Sequence, residues 1–303
     1  MRLLFLTLLI ALTSGCEIWY DSRHQQGDLR VHMAASPQAE LSAAYLSIAR
    51  VEVQHVAGQW HQVPLDESTQ EINWQSTPLE HPVRLARGEK LPEGHYHAIR
   101  IFFNRTEGTA ERHNDGAQFA LYTSDVYKAE LDEPLRVDGQ HSSEILVWLD
   151  LQRSLRFNSD TNESYYRLYS PGIYAYSQNA GHIHGTITTQ RWANLNCPTP
   201  QYGKHNQLFG AYAYIYRNQQ QNLNQLLDLQ PSEQAPIMSS PVYQHSNGEF
   251  YYRTPPLPSG HYIVALTCNG LADNPLSDDR ATVRISTGIT VRLNSNTGFT
   301  INF

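Results

Sequence analysis

Cysteine is scarce, with three in 303 residues, and no two of them stand at the close C-x-x-C spacing that suits a zinc site. Basic charge is also short. Lys and Arg number 22 against 29 Asp and Glu, a formal net charge of −7, so there is no basic footprint for nucleic acid. Long apolar runs are missing. The apolar stretch at 3–12 is about half of the roughly 20 residues a membrane-spanning helix needs. Catalytic signatures are absent as well: there is no G-x-S-x-G, H-E-x-x-H, G-x-x-x-x-G-K-[ST] or G-x-G-x-x-G. A convergent triad follows no fixed sequence order, so this lowers the case for an enzyme without closing it. The expectation is a non-enzyme that needs no cofactor. What is present is 40% hydrophobic residues with only 17% charged, a globular composition, and 18 Tyr, 18 Gly and 16 Pro. That mixture favours many short strands joined by turns, in two domains or one large all-β domain.

The amino terminus reads as a secretory leader, with Arg2 before the apolar stretch and small residues after it. Leu12-Thr13-Ser14-Gly15-Cys16 resembles the bacterial lipobox, with Thr13 where Leu is commonest. The resemblance implies cleavage before Cys16 and lipidation of Cys16, which would anchor the chain to a bilayer through several acyl chains. Glu17 follows, not the Asp that marks inner-membrane retention, so the implied address is the outer membrane of a Gram-negative cell. Residues 16–26 would form a tether roughly 16–19 Å long as a coil. With Cys16 given to lipid, Cys197 and Cys268 remain as one even pair, expected to form a disulfide outside the cytosol.

Strand signals dominate from Asp28 onward. Residues 44–56 alternate, with a phase change near Ala49-Arg50 that suggests a bulge; 95–103 and 143–151 alternate cleanly. Only 222–229 looks helical. Leu91-Pro92-Glu93-Gly94-His95-Tyr96 recurs as Leu257-Pro258-Ser259-Gly260-His261-Tyr262, each copy leading into an apolar run. Pro sets φ, Gly permits a positive φ, and Tyr starts a strand. The echo suggests two tandem antiparallel β-sandwich modules, immunoglobulin- or prealbumin-like, or else one turn type used twice. The expected division is leader 1–15, tether 16–26, first sandwich 27–184 and second sandwich 185–303, with a strand over 186–192 and a long surface loop over 218–242.

Residues 27–187 resemble the bacterial domain of unknown function 4382. The features that carry this are Gly27-Asp28-Leu29-Arg30-Val31, residues 45–53, Trp60 before a Val, residues 91–100, Leu149-Asp150-Leu151 followed by Arg153-Ser154-Leu155, and Tyr169-Ser170-Pro171. The chain departs at Ala34-Ala35-Ser36-Pro37, where the family usually shows an Asp-Ala-Pro-like turn. The resemblance implies a secreted or lipid-anchored β-sandwich, often beside a prealbumin-like module. It brings no established activity.

Three constellations could carry chemistry. Tyr212, Tyr214 and Tyr216 alternate with Ala211, Ala213 and Ile215, so three phenols share one strand face. Such a row could stack on sugar rings as a carbohydrate-binding module, or serve as an exposed Tyr ladder. His182 and His184, like His95 and His97, share a strand face at i, i+2 and could offer two imidazoles to the metal of a hydrolase, or be solvated. Asp273-Asn274 and Asp278-Asp279 could supply Ca²⁺ oxygens, or form a solvated acidic loop. The sequence thus points to an envelope lipoprotein with a binding or structural role, whose partner beyond the bilayer is a glycan or another envelope protein.

Overall fold

The computed structural model describes residues 26–66, 71–79, 81–104, 108–124, 126–159, 163–169, 172–177, 181–195, 197, 207–217, 226–230, 232, 234–274, 285–293 and 298–303. Cys16 and the Asp278-Asp279 pair lie outside them.

The fold is all-β. One sheet has eight strands in the order β4 (Trp60–Val63), β3 (Ile48–His55), β7 (Gly94–Phe103), β10 (Tyr127–Val137), β14 (Ile173–Ser177), β11 (Ser142–Asp150), β1 (Gln26–Ser36), β6 (Val83–Pro92). A second has six: β12 (Leu155–Ser159), β13 (Ser164–Leu168), β9 (Gln118–Tyr122), β8 (Gly108–Arg112), β2 (Leu41–Leu46), β5 (Ile72–Asn73). A third has seven: β20 (Ile285–Leu293), β19 (Gly260–Thr267), β16 (Gln207–Arg217), β17 (Met238–Gln244), β18 (Phe250–Arg253), β15 (His182–Ile187), β21 (Gly298–Thr300). Sheet membership changes between Ser177 and His182. The helices are short: α1 (Leu151–Ser154) and α2 (Thr189–Asn194), with a 3-10 turn at Trp74–Ser76.

The period-2 pattern explains the first sandwich. Leu29, Val31 and Met33 of β1 and Ile145, Val147 and Leu149 of β11 point into one core with Leu46, Ala110, Leu121, Tyr166 and Leu168 of the six-stranded sheet. The opposite face of the eight-stranded sheet is also covered. Ala34, Trp148 and Tyr176 join a second core with Ala211, Ala213, Ile215, Met238 and Val264 of the third sheet. This is why β1 begins with alternating exposure and ends with four buried residues in a row. The eight-stranded sheet therefore contributes to two cores, and the halves of the chain share one of them.

Several expectations hold in detail. The phase change at Ala49-Arg50 is a register shift in β3 between Ile48 and Arg50. The repeated L-P-x-G-x-Y turn makes the same closure twice. The Tyr96 hydroxyl donates to the Pro92 carbonyl (2.8 Å) and the Tyr262 hydroxyl to the Pro258 carbonyl (2.7 Å), with both rings buried. Each Tyr thus pins its own turn four residues upstream, as in the tyrosine corner of immunoglobulin-like domains. The two glycines differ. Gly94 has φ +149° and a Cβ there would collide with His55 Nε2, whereas Gly260 needs no positive φ.

Other expectations are corrected. Pairing is mainly antiparallel, but β1 and β11 run parallel from Asp28↔Ser142 to Ser36↔Asp150, as do β9 with β13, β10 with β14 and β15 with β21. More than a hundred residues separate β1 from β11, enough chain to return in the same direction. The strand expected over 186–192 ends at Ile187. Thr188 then caps α2, its side chain accepting from the Arg191 N–H (3.1 Å). The loop expected over 218–242 contains the start of β17, and 226–229, expected to be helical, is irregular chain. β17 tolerates Pro241 because that residue pairs with Tyr212 on one side only; β17 meets β18 from Val242 onward.

Candidate functional site

The tyrosine row is present but closed. Tyr212, Tyr214 and Tyr216 are 0% exposed and pack with Ala39, Leu229, Ile263 and Ala265. Each hydroxyl has an internal acceptor: Pro37 O for Tyr212 (3.2 Å), Asp273 Oδ2 for Tyr214 (2.5 Å) and Leu227 O for Tyr216 (2.6 Å). The expectation of an exposed row, whether sugar-binding face or ladder, is therefore corrected. A buried phenol needs only one good partner, and no sugar can stack on rings covered in this way.

Cys197 and Cys268 form the expected disulfide, Cα to Cα 5.5 Å, joining the chain just after α2 to the end of β19. His182 and His184 face each other with ring centroids 5.3 Å apart. No third His, Cys, Asp or Glu joins them into a metal-binding group among the described residues. His184 Nε2 meets Thr300 Oγ1 at 2.9 Å, but its buried Nδ1 has no partner among the described residues, so no carboxylate orients the ring. His95 is exposed and His97 half-buried, on either side of the buried Tyr96.

His182 makes a pH prediction. Burial, and then the charges of Arg253 and His184, hold its pKa below the usual 6.5. The folded chain therefore binds fewer protons here than the unfolded one, and stability is lost as pH falls below 6.5. The drop in melting temperature between about pH 7.5 and about pH 5.5 should be smaller in His182→Gln than in the wild type, measured by thermal denaturation. Equal drops would show that His182 does not couple to folding.

A dense polar cluster lies where the two halves meet. β11 ends in Asp150, which is fully buried and caps α1 through the Arg153 N–H (3.1 Å). Asp150 also reaches across to β17: Oδ2 accepts from the Ser239 N–H (2.6 Å) and Oδ1 from the Ser239 hydroxyl (2.7 Å). Burial pushes its pKa up, against the pull of these donors. Around it Gln152 Nε2 donates to Gly270 O (2.6 Å), Arg153 Nη1 donates to Pro236 O (2.5 Å) and Tyr174 Oη (3.0 Å), and the Tyr174 hydroxyl donates to Ile237 O. Within this short stretch, Asp150, Gln152 and Arg153 thus each bridge the two halves.

Beside this seam a cleft opens in two lobes of about 300 and 350 Å³ that share Glu40, Phe157 and Leu271. Arg156 lies in the first lobe, 8% exposed, with its Nη atoms donating to the carbonyls of Gln152 (2.7 Å), Arg153 (3.4 Å) and Leu155. Burial pushes its pKa down to about 10, with Asp273 the leading opposing charge. Arg156 Nε and Gln38 Oε1 are buried and lack a hydrogen-bond partner among the described residues. Burial also raises the Glu40 pKa, opposed by Arg156 and Arg112. At the rim, Phe157 is 37% and Leu271 36% exposed. Phe157 stacks at a tilt on Tyr166 (5.1 Å) and meets Phe119 edge-on (5.1 Å). Sequence reasoning missed this cleft. The available signal was an Arg inside the apolar run Leu155-Arg156-Phe157 and an Asp at the end of a hydrophobic strand.

Comparison with known proteins places part of the chain. Residues 26–169 match the family profile described as "Domain of unknown function (DUF4382)". The match ends at Tyr169, before β14, where the sequence resemblance suggested 187. No curated protein matches the chain significantly. Among solved structures, BcpA, the major pilin subunit of Bacillus cereus, is 9% identical, with 92% of this chain and 99% of that one covered at a TM-score of 0.19. The major pilin from Streptococcus pyogenes is 10% identical, with 91% and 97% covered at a TM-score of 0.17. Superpositions at that level carry no functional inference.

Proposed function

We propose that the protein is a lipid-anchored component of the outer membrane with a non-enzymatic binding or structural role. The observation that carries the role is how the buried polar groups are used. Asp150, Gln152, Arg153, Tyr174 and Tyr212 all bridge the two halves of the body, and Tyr214 bonds to Asp273. Side chains so committed hold a shape; they are not left poised for proton transfer. The anchor rests on Gly15-Cys16 after an apolar stretch too short to span a bilayer.

Growth with an alkyne palmitate analogue, followed by membrane fractionation, tests this reading. The wild type should be labelled and found with the outer membrane, and Cys16→Ser should be unlabelled and released. Equal labelling of both proteins, or none of either, contradicts the anchor.

A further inference from the structure

We propose that the cleft between the two halves, floored by Gln38, Glu40 and Arg156 and walled by Phe157 and Leu271, binds a neutral saccharide. This deepens the binding role given above and does not depend on the anchor.

One lobe is lined by side chains of both hydrogen-bonding kinds: Gln38, Gln152 and Asn158 carry amides that donate and accept, Arg156 donates and Glu40 accepts. A hydroxyl group both donates and accepts, so a ligand rich in hydroxyls matches such a lining.

Arg156 interacts with Asp273, Asp150 and Glu40, and Arg112 pairs with Asp115 at 2.7 Å. Two guanidiniums thus face at least the two carboxylates of Asp273 and Asp115. The cleft therefore has no surplus positive charge to hold a phosphate, sulfate or carboxylate.

Phe157 and Leu271 are two of the large apolar side chains most exposed among the described residues, and both stand at the mouth of the polar floor. A flat ring beside hydrogen-bonding groups matches a pyranose, which has an apolar C–H face and a hydroxyl edge. The two lobes, of about 300 and 350 Å³, fall within the size range of small-molecule sites.

A glycan array carrying neutral and acidic oligosaccharides, probed with the detergent-solubilised full chain, tests the proposal. Hits are followed by calorimetric titration of wild type, Phe157→Ala, Leu271→Ser and, as a control outside the cleft, Val56→Ala. Phe157, Leu271 and Val56 are each partly exposed, and the melting temperature of every variant is measured first, so that affinities are compared only between folded proteins. The expected result is a neutral oligosaccharide whose affinity falls roughly tenfold or more in Phe157→Ala, falls in Leu271→Ser and is unchanged in Val56→Ala. No binding to any neutral glycan, binding confined to acidic glycans, or equal affinity for wild type and Phe157→Ala would overturn it. None of these outcomes changes palmitate labelling at Cys16, so failure of this site is distinguishable from failure of the anchor.

Discussion

Replacing Asp150 with Asn should lower the unfolding free energy by about 2–4 kcal/mol, although the side chain keeps its size and shape. Both carboxylate oxygens of Asp150 accept from backbone N–H groups that cannot turn away: Ser239 N–H on Oδ2 and Arg153 N–H on Oδ1. An amide has one accepting oxygen. Whichever way the new side chain is turned, its NH2 would face a fixed donor, in a site with 0% solvent exposure. One orientation weakens the cap of α1, and the other weakens the bridge to β17. Urea denaturation followed by circular dichroism gives the number. Ser239→Ala removes the hydroxyl donor alone and should cost less, about 1 kcal/mol. The double variant should then show a non-additive coupling, because both changes act on one contact. A loss below about 0.5 kcal/mol for Asp150→Asn would mean that the seam does not hold the halves together.

Removing the disulfide should have a comparable effect by a different route. Cys197→Ser with Cys268→Ser frees a loop with a sequence separation of 71, and the chain-entropy model assigns about 4 kcal/mol to closing it. The loss acts on the unfolded state, so it should appear as a lower denaturant midpoint with little change in the native spectrum. Unfolding the wild type with and without reductant gives the same comparison without mutation. Coincident curves would contradict a stabilising role for this bond.

The sequence was most informative where local rules and burial agree. Strict alternation located β7 and β11, the phase change located the bulge in β3, and the repeated turn located both tyrosine corners. It was least informative where long-range packing overrides local preference. β17 carries Ser239, Ser240 and Pro241, a poor strand composition, yet Ser239 is fixed by Asp150 and the Ser240 hydroxyl by Arg253 O (2.6 Å). The tyrosine row looked open because nothing local announces that 226–230 and the Pro37–Ala39 segment lie over it. Of the cleft, the sequence offered only an Arg inside an apolar run and an Asp at the end of a hydrophobic strand. Gln38, Arg156 and Leu271 come from three distant parts of the chain and meet only because the halves share a core. Cys16 is the opposite case, a local signal whose meaning lies in processing rather than packing.

The claim on which the functional reading rests is that this body is carried on a fatty-acylated cysteine. Intact-mass spectrometry of the protein purified from membranes measures that directly. A mass matching cleavage before Cys16 plus a diacylglyceryl group and an amide-linked acyl chain is the predicted result. A chain retaining Met1, or one cut elsewhere with an unmodified first residue, would contradict it.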